Sequence, residues 1–157
     1  MKKTSFLLLL MLLAVTAQAY RFGYTLSSYD NIAIITGVST DSYSDGDIVI
    51  PEYIEGTYKV VSIATQAFYG KSITSVVIPS TVTTIGESAF ESCKSLRKVT
   101  IAGDGAISIG GYAFYDCDSL NHVTFGSGVT SIGNYTFSSC RSLKSVTIPD
   151  NVTSIGT

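Results

Sequence analysis

Three cysteines, one histidine and a short acidic loop are the residues of this chain whose types and spacing could do chemistry. Cys93, Cys117 and Cys140 recur after 24 and 23 residues, so they occupy one position of a periodic pattern. Stacked coils would set neighbouring thiols about 4.8 Å apart. That spacing allows an unbridged ladder of buried thiols, one disulfide between neighbours with a thiol left over, or metal and redox chemistry. The expectation is the unbridged ladder, because zinc would need a fourth ligand and His122, the single histidine, falls on the opposite surface of its strand. Asp41, Asp45, Gly46 and Glu52 sit at positions 1, 5, 6 and 12 of a calcium-loop template. Tyr43 stands where an oxygen donor is wanted, and Pro51 stands where a helix is required, so the loop reads as an acidic, solvated turn. Neither a metal nor a cofactor is expected.

Hydrolysis needs a nucleophile, a base and an oxyanion pocket, and His122 is the only imidazole. No two carboxylates fall in register across the repeated strands, as glycosidase chemistry would require. Gly103-Asp104-Gly105 is an insertion and not a phosphate-cradling elbow. The expectation is a protein that is not an enzyme.

Placing these residues begins with the chain's ends and its charge. Lys2 and Lys3, the apolar run from Phe6 to Val15, and Ala17-Gln18-Ala19 read as the three parts of an export signal over 1–19, with Tyr20 as the mature start. The apolar run is shorter than the ~20 residues of a membrane span, and no later run approaches that length. Without Lys2 and Lys3, eight Lys and Arg face twelve Asp and Glu. That acidic balance argues against a nucleic-acid partner. Ser and Thr supply much of the polar surface, while recurrent Ile, Val, Phe and Tyr exclude disorder.

From Ile63 the chain repeats itself. Ile63, Ile85, Ile109, Ile132 and Ile155 are spaced by 22, 24, 23 and 23 residues, and Phe68, Phe90, Phe114 and Phe137 follow with gaps of 22, 24 and 23. A full unit is carried by Ile85-Gly86, Ala89-Phe90, Cys93, Ser95-Leu96, Val99 and Ile101, then by Ile109-Gly110, Ala113-Phe114, Cys117, Ser119-Leu120, Val123 and Phe125. A third copy uses Ile132-Gly133, Phe137, Cys140, Ser142-Leu143, Val146 and Ile148. Val99 and Ile101, two apart on a strand, share the buried face, and Lys98 and Thr100 point outward. One unit alone exposes its apolar side, and stacking buries it. Residues 82–85, 129–132 and 152–155 predict a second short strand in each coil, before a brief helical turn through the Ala-Phe pair. Gly86, Gly110 and Gly133 are expected to supply backbone angles that side chains forbid, and Pro79 and Pro149 to end their strands.

This unit resembles the BspA-like leucine-rich repeat of bacterial exported and surface proteins, over residues 63–157. The resemblance and the periodicity together predict a mainly β solenoid. It is a leucine-rich-repeat right-handed coil with parallel strands on its concave side, of about four repeats with the last incomplete. Residues 20–62 do not repeat. Strand signals around Ile32 and Ile34, around Ile48 and Ile50, and over 57–63, separated by Asp-Gly and Glu-Gly turns, predict a β-rich N-terminal cap.

Two surfaces remain for function. Aligning the strands gives a concave column of Ser75, Lys98, His122 and Ser145, beside a column of Val77, Thr100, Thr124 and Thr147. Ser75, Lys98, Thr100, His122, Thr124, Ser145 and Thr147 are the candidate ligand-binding residues. The flank offers Tyr112 and Tyr135 in one column and Tyr69 and Tyr115 in another. The resemblance implies an exported or surface-held recognition module that adheres to an extracellular or host protein. A cell-surface glycan is the rival ligand, and a passive stalk the third reading. Self-association through the last coil is also expected, since its apolar residues Val146, Ile148, Val152 and Ile155 have no repeat drawn over them.

Overall fold

The computed structural model describes residues 22–27, 29–38 and 46–157. The signal-like residues 1–19, Tyr20, and Asp41, Tyr43 and Asp45 of the acidic loop lie outside the described residues. Twelve strands follow in chain order: β1 (Phe22–Ser27), β2 (Ile32–Val38), β3 (Gly46–Val49), β4 (Tyr53–Ile54), β5 (Tyr58–Ile63), β6 (Ile73–Ile78), β7 (Thr84–Ile85), β8 (Lys98–Ile101), β9 (Ile107–Ile109), β10 (His122–Phe125), β11 (Val129–Ile132) and β12 (Ser154–Ile155). They form two sheets. Sheet A runs β1-β2-β5-β7-β9-β11-β12 with β4 added to β5, and sheet B runs β10-β8-β6-β3. Every pairing is parallel except β1 with β2 and β4 with β5. The chain winds between the two sheets as a parallel β-solenoid of about five turns.

The coils are held by columns of identical residues. Phe68, Phe90, Phe114 and Phe137 stack with ring planes nearly parallel, at centroid separations of 4.8, 5.2 and 5.6 Å. Each such ring pair contributes roughly 0.5–1.5 kcal/mol beyond its burial. Phe22 closes the column at the N-terminal side by meeting Phe68 edge-on, at 6.2 Å and 79°. Ala33, Ile35, Ile48, Ile50, Ile54 and Val60 of the β-rich segment before the repeats are buried in the same core as the repeats. β2 and β5 continue sheet A, and β3 continues sheet B. A Glu55-Gly56 turn, with both residues at positive φ, joins β4 to β5.

No strand-to-strand connection among the described residues is a helix, so the helical turn expected through the Ala-Phe pair does not form. Two residues per coil adopt the left-handed conformation instead. Gln66, Ser88, Tyr112 and Tyr135 make one column, with φ of 54 to 57°, and Gly70, Ser92, Asp116 and Ser139 make a second, four residues on. These turns direct alternate N–H groups to the following coil: Ser88 to Gly111, Phe90 to Ala113, and Ser92 to Tyr115. A helix would have used those donors within its own turn; here they join one coil to the next.

The repeat glycines also have a different reason from the expected one. Gly86, Gly110 and Gly133 are absent from the positive-φ residues. A Cβ at Gly110 would lie 2.7 Å from the Glu87 nitrogen, and at Gly133 2.4 Å from the Gly111 nitrogen. Close approach of successive main chains excludes the side chain. Ala64 heads this column and makes the same bond, to Ile35 of β2, that Gly86 makes to Ile63.

One expected strand is missing. Residues 145–148 carry the same pattern as β8 and β10 but form no ladder. Ala102 and Gly126, which follow β8 and β10, donate to Ile78 and Ile101 at 2.9 and 2.7 Å. Pro149 holds the equivalent position and has no N–H to give. Pro79 follows β6 in the same way, but β6 is bonded on both sides, by β3 and β8.

Candidate functional site

Sheet B sets the candidate residues in rows by backbone register. Asp47, Ser75, Lys98 and His122 are successive partners across β3, β6, β8 and β10, and Val49, Val77, Thr100 and Thr124 are the next column but one. The residues between, Ile48, Val76 and Val99, point into the core and are buried. This alternation is what fixes the outward set. The sheet therefore brings together Ser75, Lys98, Thr100, His122 and Thr124. Ser145 and Thr147 are exposed in the segment that does not join the ladder. Thr147 still faces the others across a groove of about 630 Å³, which it lines with His122, Thr124, Phe125 and Pro149.

Asp47 is the member that sequence reading missed. Its carboxylate accepts hydrogen bonds from Ser75 Oγ at 2.6 Å and Thr74 Oγ1 at 2.8 Å. These two donors, Ser75 foremost, hold its carboxyl below the ordinary carboxylate range. The signal was present in Asp47-Ile48-Val49-Ile50, which alternates as Ser75 to Ile78 does. At the other end of the row His122 Nε2 lies 3.3 Å from Thr124 Oγ1. The row thus changes sign along the sheet, from a carboxylate on β3 to an ammonium on β8.

The cysteines form the expected ladder inside the turns. All three are free and buried. Each thiol donates to the carbonyl of the phenylalanine one coil back: Cys93 to Phe68 at 3.0 Å, Cys117 to Phe90 at 3.2 Å and Cys140 to Phe114 at 3.1 Å. Burial pushes the Cys93 thiol up to about 12. Beside the ladder, on the exposed side, Lys94 bridges Asp116 and Asp118, and Arg141 reaches Asp118 at 3.5 Å. Gly46 opens β3 and Glu52 is exposed just before β4; the other two residues of the acidic loop are outside the described residues.

On the flank, Tyr112 and Tyr135 stack at 5.2 Å and 28°, and Tyr115 meets Tyr112 edge-on at 5.4 Å. Tyr135 and Tyr69 are about half exposed.

A solenoid of short coils, with one face built from a repeated x-Val-x-Ile strand and the turns filled by Leu, Phe and Cys columns, defines a leucine-rich-repeat protein. The chain belongs to the BspA type leucine rich repeat family, whose model matches residues 61–157 in 6 copies. Among solved structures it is similar to a leucine-rich-repeat protein of T. pallidum, at 37% identity and TM-score 0.78, over 87% of this chain and 62% of that one. A leucine-rich-repeat protein from Bacteroides capillosus matches at 25% identity and TM-score 0.68, over 88% of this chain and 95% of that one. A leucine rich cell surface protein from Faecalibacterium prausnitzii matches at 30% identity and TM-score 0.57, over 87% of this chain and 49% of that one. The chain thus spans less than two thirds of the first and third of these proteins. No curated protein matches it.

Proposed function

We propose that the protein is an exported, non-enzymatic recognition module that works at the cell surface by adhesion or protein binding, its ligand lying across sheet B. The observation that carries this reading is the row of outward side chains held in register by parallel rungs: Ser75, Lys98 and His122, with Thr100 and Thr124 beside them. A platform fixed by main-chain bonds loses little freedom when a ligand settles on it. Export is supported by the signal-like residues 1–19, and surface placement by the similarity to a cell surface protein of F. prausnitzii. The non-enzymatic reading rests on His122, the only histidine, which is exposed and has Thr124 as its hydrogen-bond partner.

The Tyr112–Tyr135 stack favours a second reading, a carbohydrate-binding accessory protein that uses the flank. One experiment separates the two. Lys98→Ala with His122→Ala should leave the melting temperature nearly unchanged, since both side chains are exposed, and should weaken attachment to host-cell or extracellular-matrix surfaces. Loss of attachment in Tyr112→Ala with Tyr135→Ala, while the sheet B variant attaches normally, would overturn the sheet B reading.

A further inference from the structure

The chain is acidic overall, yet its cations are not scattered. Of the ten Lys and Arg, six (Lys71, Lys94, Arg97, Lys98, Arg141 and Lys144) fall between residues 71 and 144, on the stretch of each coil that leaves the cysteine turn and enters sheet B. Repeat spacing sets Lys94 and Arg141 at one position of the unit and Arg97 and Lys144 three residues on, with Lys98 next to Arg97 in the row that runs from Asp47 through Ser75 to His122. Arg97 lies beside Thr74 and Asn121, bonded to them through the main chain, and Lys144 follows Asn121 one repeat later. Among the described residues, ion pairs engage only Lys94 and Arg141, which neutralise Asp116 and Asp118. Arg97, Lys98 and Lys144 are exposed and have no carboxylate partner in that set. Arg97 and Lys144 hold the same position of the repeat two coils apart. The nearest carboxylate in the sheet row, Asp47, stands at the far end on β3 and is engaged by Ser75 and Thr74.

We propose that this cationic end of sheet B takes a linear sulfated polysaccharide, free or carried on a protein. The proposal rests on the reading of sheet B as the docking face and names its ligand. Charge complementarity supplies the attraction: three unpaired cations on an otherwise acidic surface draw a polyanion to one end, and Asp47 repels it from the other. The rest of the face selects sugar over protein. Tight protein contacts centre on aromatic or aliphatic anchors in desolvated pockets, and the outward residues next to these cations are Asn121, His122, Thr100 and Thr124, with Val77 beside Thr100 and with Phe125, Pro149 and Asp150 along the groove that His122 lines. Hydroxyls and an amide pair with ring hydroxyls, and the guanidinium of Arg97 can grip a sulfate through two parallel N–H bonds.

The test is binding of the full chain to immobilised heparin, read by interferometry beside fully desulfated heparin and a polyglutamate peptide. Saturable binding to heparin alone is expected, falling about tenfold between roughly 50 and 200 mM salt, as release of counterions from a few contacts requires. Arg97→Ala, Lys98→Ala and Lys144→Ala together should weaken it at least about tenfold with an unchanged melting temperature; these side chains are exposed, so the fold survives their loss. Equal binding to polyglutamate would make the ligand an acidic peptide and overturn the proposal, as would unimpaired heparin binding by the triple variant. No heparin binding, with cell attachment still lost in the Lys98→Ala and His122→Ala variant, would overturn the sugar and leave the docking face standing.

Discussion

The thiol of Cys117 donates to the carbonyl oxygen of Phe90 one coil before it, 3.2 Å away, so the cysteine column is a set of rungs between coils as well as part of the core. The same bond recurs at Cys93 and Cys140. The rungs at Phe68 and Phe90 add a second donor to carbonyls that already accept the N–H groups of Lys71 and Cys93. The surroundings of the ladder keep the Cys93 and Cys117 sulfurs protonated, while the hydrogen bond with Cys117 lowers Cys140. Contact with the Cys140 thiol and burial both raise Cys117, and burial raises Cys93 to about 12.

Stability should fall with alkali for that reason. The folded state keeps the Cys93 proton up to about 12, whereas the unfolded thiol loses it near 9.0. The contribution is therefore complete below about pH 9 and is lost between about 9 and 12, at roughly 1.4 kcal/mol per pH unit for such a group. Denaturant unfolding followed across this range should show a shallower alkaline loss in Cys93→Ala than in the parent. An identical slope would mean that the thiol is not buried as described. Titration of thiols in denaturant without reductant should find three.

Substituting Gly110 should separate crowding from backbone angle. Gly110→Ala forces a Cβ to within 2.7 Å of the Glu87 nitrogen, and overpacking of this kind costs about 1–3 kcal/mol. Ala64→Gly, at the head of the same column, should cost about 0.5–1 kcal/mol through chain entropy alone. Equal losses in urea midpoints would count against close approach as the cause.

Phe90 is stacked on both sides, by Phe68 and Phe114. Phe90→Ala should destabilise by about 3–5 kcal/mol. Phe22 meets the column only edge-on, so Phe22→Ala should cost less. A larger loss at Phe22 would assign the main stabilisation to the cap instead of the stack.

Acid should loosen the β3–β6 junction. Hydrogen bonds from Ser75 and then Thr74 depress the Asp47 carboxyl below the ordinary carboxylate value of 3.8. The stabilisation is present above that value and is lost as the pH falls below it through the folded value. Asp47→Asn should flatten the acid limb of the stability profile below about pH 4. Amide exchange should report the change first at Ile48 and Val76, which face each other across that junction.

Most of the solenoid could be read from the sequence because stacking makes each column repeat one residue type: Phe68 to Phe137 and Cys93 to Cys140 are visible as spacing. Asp47 escaped because its coil carries neither signature, although its strand alternates like β6. The left-handed corners escaped for a different reason. Gln66, Ser88, Tyr112 and Tyr135 share no side-chain property, and what holds them is the donation of their N–H groups to the following segment, at Glu87, Gly111, Asn134 and Thr157. Residues 145–148 match β8 and β10 in pattern; what differs is the proline after them, where Ala102 and Gly126 follow β8 and β10.

Those corners carry a consequence for variation. Since main-chain bonds dictate the path there, glutamine, serine and tyrosine serve in turn, and the sheets beyond the bend keep their register in every case. A lineage could exchange an aromatic corner for a polar one, copy by copy, and retain the same scaffold. Where the corner side chain is exposed, as at Gln66 and Tyr135, the outer edge of the coil is where such proteins can diversify what they display; Ser88 is buried and is not open to that exchange.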